Sequence, residues 1–140
     1  MIRYFDASAL VKRYVQESRS EAVRSLLAEG NLATSRLSEV EVASALVRRC
    51  HEGSISSGER DRALRALRKD CASLFIIELT AEVASSALDL LVRYRLRVGD
   101  AIQLASCLQL REQVGTRVEF VAYDGRLTEA AQREGLAFVE

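Results

Sequence analysis

Three carboxylates at element junctions, with a fourth on a nearby helix, are the residues of this sequence best able to do chemistry together. Asp6 ends the apolar run Ile2-Arg3-Tyr4-Phe5, and Asp124 ends Val118-Glu119-Phe120-Val121-Ala122-Tyr123. Asp100 sits immediately before a helical pattern, and Glu41 follows the short run Leu32 to Ser35. In open α/β sheets, ligands are held outside the carboxyl ends of the strands, where strand order reverses. Acids that close strands are therefore placed to meet in one crevice. Each also has an ordinary structural explanation, because Asp is a good N-cap and Asp124-Gly125 is a common turn pair. Glu39 and Glu41 share one helix, and Glu41 could simply complete a Ser38-x-x-Glu41 capping box or face solvent. Ser44, Ala45 and Arg48 lie along the face of Glu41, and those small neighbours make it the better candidate of the two.

Two unit charges about 4 Å apart interact by about 4 kcal/mol at an effective dielectric near 20, so clustered carboxylates raise their pKa values or bind a cation. His51 is the only histidine, and Cys50, Cys71 and Cys107 are scattered without a paired spacing. That removes imidazole-based nucleophilic mechanisms and any recognisable zinc or disulfide framework. Oxygen-only ligation favours Mg²⁺ or Mn²⁺. Such an ion lowers the pKa of bound water and stabilises charge growing on a phosphate, which makes phosphodiester hydrolysis the natural chemistry.

The elements that must position these acids can be read from apolar periodicity. The spacing predicts a first strand over residues 2–5, a helix over 8–17 and a second helix over 20–29 stopped by Gly30. A short strand over 32–35 follows, then a helix opened by Ser38. Residues 58–73 form a helix with Ala63, Leu64, Leu67 and Cys71 on one stripe. The clearest internal strand is 74–79. Thr80 caps the next helix, Gly99-Asp100 opens another, and 118–123 is a strand followed by a short helix over 127–134 and a last strand at 137–139. Strands alternating with helices predict a doubly wound α/β domain with a mainly parallel sheet covered on both faces.

With 140 residues, no proline and no low-complexity linker, a single domain over 1–140 is expected. Twenty basic and twenty acidic residues balance, so any nucleic-acid partner must be held by a local patch. Charges interrupt the N-terminus, and no stretch has the apolar length of a membrane span, so a soluble cytoplasmic protein without membrane contact is expected.

In these segments the sequence resembles a PIN domain, and within that family the VapC toxins of toxin–antitoxin pairs. The matching runs are Phe5-Asp6-Ala7-Ser8-Ala9-Leu10, Val40-Glu41-Val42-Ala43-Ser44-Ala45, Gly99-Asp100-Ala101-Ile102-Gln103-Leu104-Ala105 and Phe120-Val121-Ala122-Tyr123-Asp124-Gly125, in that order along the chain. The resemblance implies a three-layer α/β/α PIN-like fold and an endoribonuclease that uses Mg²⁺ or Mn²⁺. It assigns Asp6, Glu41, Asp100 and Asp124 as the catalytic and metal-binding acids, favouring Glu41 over Glu39. Ser8 matches the family's hydroxyl beside the first Asp, where it either orients that carboxylate or serves only as a cap. The implied partners are an RNA substrate, a cognate antitoxin and a second copy in a homodimer. The chain departs from the family pattern at Ala122, where Thr or Ser is frequent, and at Gln103, where His is frequent.

The rival reading is a non-catalytic PIN-fold regulator that binds RNA or protein. For substrate contact the basic groups are Lys12, Arg13, Arg48 and Arg49, together with Arg60, Arg62, Arg65, Arg68 and Lys69 of one helix. The helix group reads first as a solvated face.

Overall fold

Five parallel strands in the order β3-β2-β1-β4-β5 form the frame of the computed structural model. They are β1 (Ile2–Phe5), β2 (Asn31–Ser35), β3 (Phe75–Ile77), β4 (Val118–Val121) and β5 (Ala137–Val139). The structure describes residues 1–139, and Glu140, the last residue of the expected domain, lies outside the described residues. The helices are α1 (Ala7–Leu10), continued by a 3₁₀ turn over Val11–Arg13, then α2 (Ser20–Leu27), α3 (Arg36–His51), α4 (Ser57–Cys71), α5 (Ala81–Arg93), α6 (Val98–Val114) and α7 (Gly125–Arg133).

Successive side chains of a strand leave opposite faces of the sheet, so adjacent Tyr4 and Phe5 are both wholly buried yet enter different cores. Tyr4 packs with Ala33, Ile77, Phe120 and the apolar faces of α5, α6 and α7. Its ring stacks on that of Phe120 with centroids 5.8 Å apart. Phe5 packs with Val121, Leu10, Leu46 and Leu67, beneath α1 to α4. The expected three layers, helix on sheet on helix, result.

The chain builds β2 and β3 on one side of β1 and then returns to build β4 and β5 on the other. Strand order therefore reverses between β1 and β4. The amide of Asp6 still donates to the Val121 carbonyl at 3.2 Å, which carries the β1–β4 pairing to its last residue.

Several expected boundaries differ. The helix expected over 8–17 is a single α turn followed by a 3₁₀ turn, because Ser20 captures the chain beyond it. The Ser20 hydroxyl accepts from the Glu17 amide and donates to the Val15 carbonyl, each at 3.0 Å, so a local side-chain bond replaces the helical ladder. The capping box expected at Ser38 and Glu41 is not formed. Ser35, the last residue of β2, caps α3 by accepting from the Leu37 amide, and Ser38 is buried one turn inside the helix. The box belongs instead to Ser56 and Glu59 at the start of α4. The strand expected over 74–79 keeps only three residues at the sheet edge, where Phe75 and Leu79 are half exposed. Asp100 does not precede α6 but sits in its first turn. No helix among the described residues is long and apolar enough to cross a membrane.

Candidate active site

The reversal of strand order at the carboxyl end of β1 opens a cleft of about 630 Å³. Asp6, Glu41 and Asp100 line it together, drawn from a strand end, a helix on one face and a helix on the other.

Asp6 is only 1% exposed. It leaves β1 and caps α1: Oδ1 accepts from the Ala9 amide at 2.8 Å, and the Ser8 hydroxyl donates to Oδ2 at 2.8 Å. Ser8 therefore bonds the first carboxylate directly, and the capping is done by Asp6 itself. Burial pushes the Asp6 carboxyl up to about 7, against the Ala9 and Ser8 bonds that favour the anion. The charges of Asp100 and Glu41 push it in the same direction as burial. Asp100 is also raised, by its own partial burial first, then by Asp124 and Glu41, with Arg97 opposing.

Glu41 is held from α6. Gln103, one turn beyond Asp100, donates through Nε2 to Glu41 Oε1 at 2.9 Å. The other oxygen, Oε2, lies against Gly99, where a Cβ would meet it at 2.8 Å. A residue without a side chain is what allows the two helices to close on this carboxylate. Gln103 is itself buried, accepts from the Tyr4 hydroxyl at 2.6 Å and donates to the Ser38 hydroxyl at 2.9 Å.

Asp124 stands slightly apart. It lines an adjoining depression with Asp100, Arg97 and Arg126 rather than the cleft of Asp6 and Glu41. It caps α7, with Oδ1 accepting from the Arg126 and Leu127 amides at 3.1 Å each. Ala122, buried two residues earlier, offers no hydroxyl, so among the described residues backbone amides alone hold Asp124.

The basic groups divide. Lys12 and Arg49 line the cleft but are both engaged by Glu17, Lys12 at 3.0 Å and Arg49 in a close ion pair. Arg48 and Arg97 line it without an ion pair among the described residues. Arg13 points elsewhere and grips Asp70 through two nitrogens at 2.6 and 3.2 Å. The arginines of α4 line none of this cleft.

Among the described residues, no three His, Cys, Asp or Glu side chains are gathered as a ready-made metal cage. The acids are nevertheless the right donors for a hard divalent cation: all are carboxylates, with neither imidazole nor thiolate beside them. The buried Asp6 carboxyl, raised toward 7 with Glu41 and Asp100 facing the same cleft beside a Glu17 already paired with Lys12 and Arg49, is a charge distribution that a cation would relieve. Donor type and charge fit such an ion.

Ser38 and Gly99, expected only as helix openers, and Gln103 and Glu17, expected to have no part in the site, all contribute to it. The spacing of Gln103 from Asp100, three residues along one helix face, was the available signal.

A parallel α/β/α domain with an acidic cleft at its switch point is the class that the fold and site define. The family model of the PIN domain matches residues 3–132. Ribonuclease VapC46 of Mycobacterium tuberculosis is 33% identical over 97% of this chain and 95% of its own. The chain belongs to the PIN domain family. Among solved structures, VapC20 of Mycobacterium tuberculosis, a sarcin-ricin loop cleaving toxin, superimposes with a TM-score of 0.68 at 21% identity, over 91% of this chain and 94% of that one. VapBC-1 from nontypeable Haemophilus influenzae gives 0.68 at 11% identity, over 100% and 98%. At those identities the structural likeness speaks for the fold.

Proposed function

We propose that this chain is a Mg²⁺- or Mn²⁺-dependent endoribonuclease, the toxin of a VapBC-type toxin–antitoxin pair. The observation that carries the reading is the convergence of Asp6, Glu41 and Asp100 on one cleft at the sheet's switch point, in a PIN domain whose curated relative is a VapC ribonuclease. Asp6, Glu41 and Asp100 would hold the cation, with Asp124 contributing through Asp100 from the adjoining depression. When bound, the ion supplies a water of lowered pKa and offsets charge on the scissile phosphate.

The chain's own groups do the rest. Ser8 and Ala9 occupy the two oxygens of Asp6 and fix its carboxylate plane. Gln103 fixes Glu41. Arg48 and Arg97 present guanidinium N–H groups to phosphate oxygens in the same cleft, and arginine suits that planar recognition. Glu17 ties up Lys12 and Arg49 and so limits the cationic surface open to the backbone of the RNA.

By the same reading the protein works in the cytoplasm as a homodimer and is silenced by a cognate antitoxin. Induction in a bacterial host that lacks the antitoxin tests the toxin assignment. Growth stops with the unmodified chain and continues with Asp100→Asn. Undisturbed growth with both, at equal soluble expression, contradicts it.

A further inference from the structure

We propose that Gln103 is the positioning residue for Glu41, setting the direction of that carboxylate in the cleft; the inference rests on the nuclease reading above. A glutamine amide has an accepting end and a donating end, and its surroundings decide which way it stands. Were it turned over, its carbonyl oxygen would sit 2.9 Å from Glu41 Oε1, two acceptors facing one another. The observed orientation gives Nε2 to the carboxylate and leaves Oε1 to accept from the Tyr4 hydroxyl at 2.6 Å.

The second hydrogen of Nε2 goes to the Ser38 hydroxyl at 2.9 Å. Ser38 and Thr34 lie 2.6 Å apart, and Thr34 Oγ1 is 2.7 Å from the Phe5 carbonyl oxygen. That carbonyl only accepts, so Thr34 gives it a proton and Ser38 gives its own proton to Thr34. Every hydrogen along the chain from Tyr4 through Gln103, Ser38 and Thr34 to Phe5 is thereby assigned. The chain ends on the residue before Asp6, so it fixes Glu41 relative to the strand end that carries the first acid. With Oε1 occupied and Oε2 beside Gly99, Glu41 has one settled pose.

A buried polar cluster can also be merely a staple, and the test separates the two. The double variant Tyr4→Phe, Gln103→Met keeps the volumes, strands no buried hydroxyl on Tyr4 and removes the donor to Glu41. Mn²⁺ binding by calorimetry weakens by about 10-fold or more, a size seen when a ligand's supporting hydrogen bond is lost. In RNA cleavage kcat falls while KM stays. In a Glu41→Ala background the same pair of changes has no further effect on Mn²⁺ affinity, because Gln103 acts through Glu41.

An affinity equal to that of the unmodified protein, or a loss that recurs undiminished without Glu41, overturns the proposal. If the double variant fails to fold, the nuclear magnetic resonance signals of the Gln103 side-chain amide in the metal-free protein provide the test. They shift in Glu41→Gln; unmoved signals overturn the proposal. An unmodified protein that neither binds Mn²⁺ nor cleaves RNA overturns the nuclease reading itself, a result distinct from all of these.

Discussion

The Ser8 hydroxyl donates to Asp6 Oδ2 at 2.8 Å, while the Ala9 amide holds Oδ1 at the same distance. The exposed serine is thus bound to the most buried acid of the cleft. Ser8→Ala removes a bond that favours the anion, so the Asp6 carboxyl rises further and divalent binding weakens by about 10-fold. Stability changes by no more than about 1 kcal/mol. Calorimetric titration with Mn²⁺ beside a urea melt checks both; unchanged affinity would leave Ser8 without a part in the site.

The pH dependence of the metal-free protein has a definite sign. Asp6 titrates near 7 when folded and near its ordinary value of about 3.9 when unfolded, so the folded state binds the proton more tightly. The stability this contributes is complete below about pH 4 and is lost progressively as pH rises through 7. Linkage sets the ceiling of the loss on the order of 4 kcal/mol. Asp6→Asn keeps an acceptor for Ala9 and carries no charge, so in EDTA it is more stable than the parent at pH 8, with the gap closing toward pH 4. Added Mn²⁺ stabilises the parent and leaves Asp6→Asn where it was. Urea melts across pH give the answer, and a gap that widens toward acid would contradict the placement of Asp6.

Gly99→Ala should separate stability from activity. A Cβ there meets Glu41 Oε2 at 2.8 Å, and the carboxylate end of a flexible side chain can move away. Alanine is the better helix residue, by up to about 1 kcal/mol. The variant therefore holds or gains thermal stability without metal while losing Mn²⁺ affinity and cleavage. Equal losses of stability and activity would mean that the two helices, rather than Glu41, had given way.

Arg48 and Arg97 face the acids, whereas the arginines of α4 line none of the cleft. For single-stranded RNA each neutralised phosphate adds about 0.7 to the slope of log affinity against log salt. Replacing Arg48 and Arg97 together by alanine flattens that slope by about 1.4, measured in EDTA. Replacing Arg62 and Arg65 leaves it unaltered, and a flattened slope in that pair would move the RNA path onto α4.

What was legible in the sequence was what local pattern encodes. The apolar run into Asp6, the Thr80 cap and the apolar stripe of residues 58–73 all appear as elements close to where periodicity put them. The misplaced boundaries have non-local causes. Ser38 matches a capping signature, but Ser35 reaches the position first because β2 ends there, and Ser38 is needed inside to accept from Gln103. The helix expected through Glu17 yields to Ser20, whose bonds close a loop that periodicity does not register. Gln103 looked only like a departure from a family pattern. Its partners lie 62, 65 and 99 residues away, and no window along the chain contains them.

The most direct test of the central claim is digestion of total cellular RNA by the purified protein, in Mg²⁺ or Mn²⁺ against EDTA, with Asp6→Asn alongside. Discrete fragments that require the metal and are absent with the variant are the predicted result. Cleavage that persists in EDTA, or equal cleavage by Asp6→Asn, would contradict the assignment of this cleft as a metal-dependent ribonuclease site.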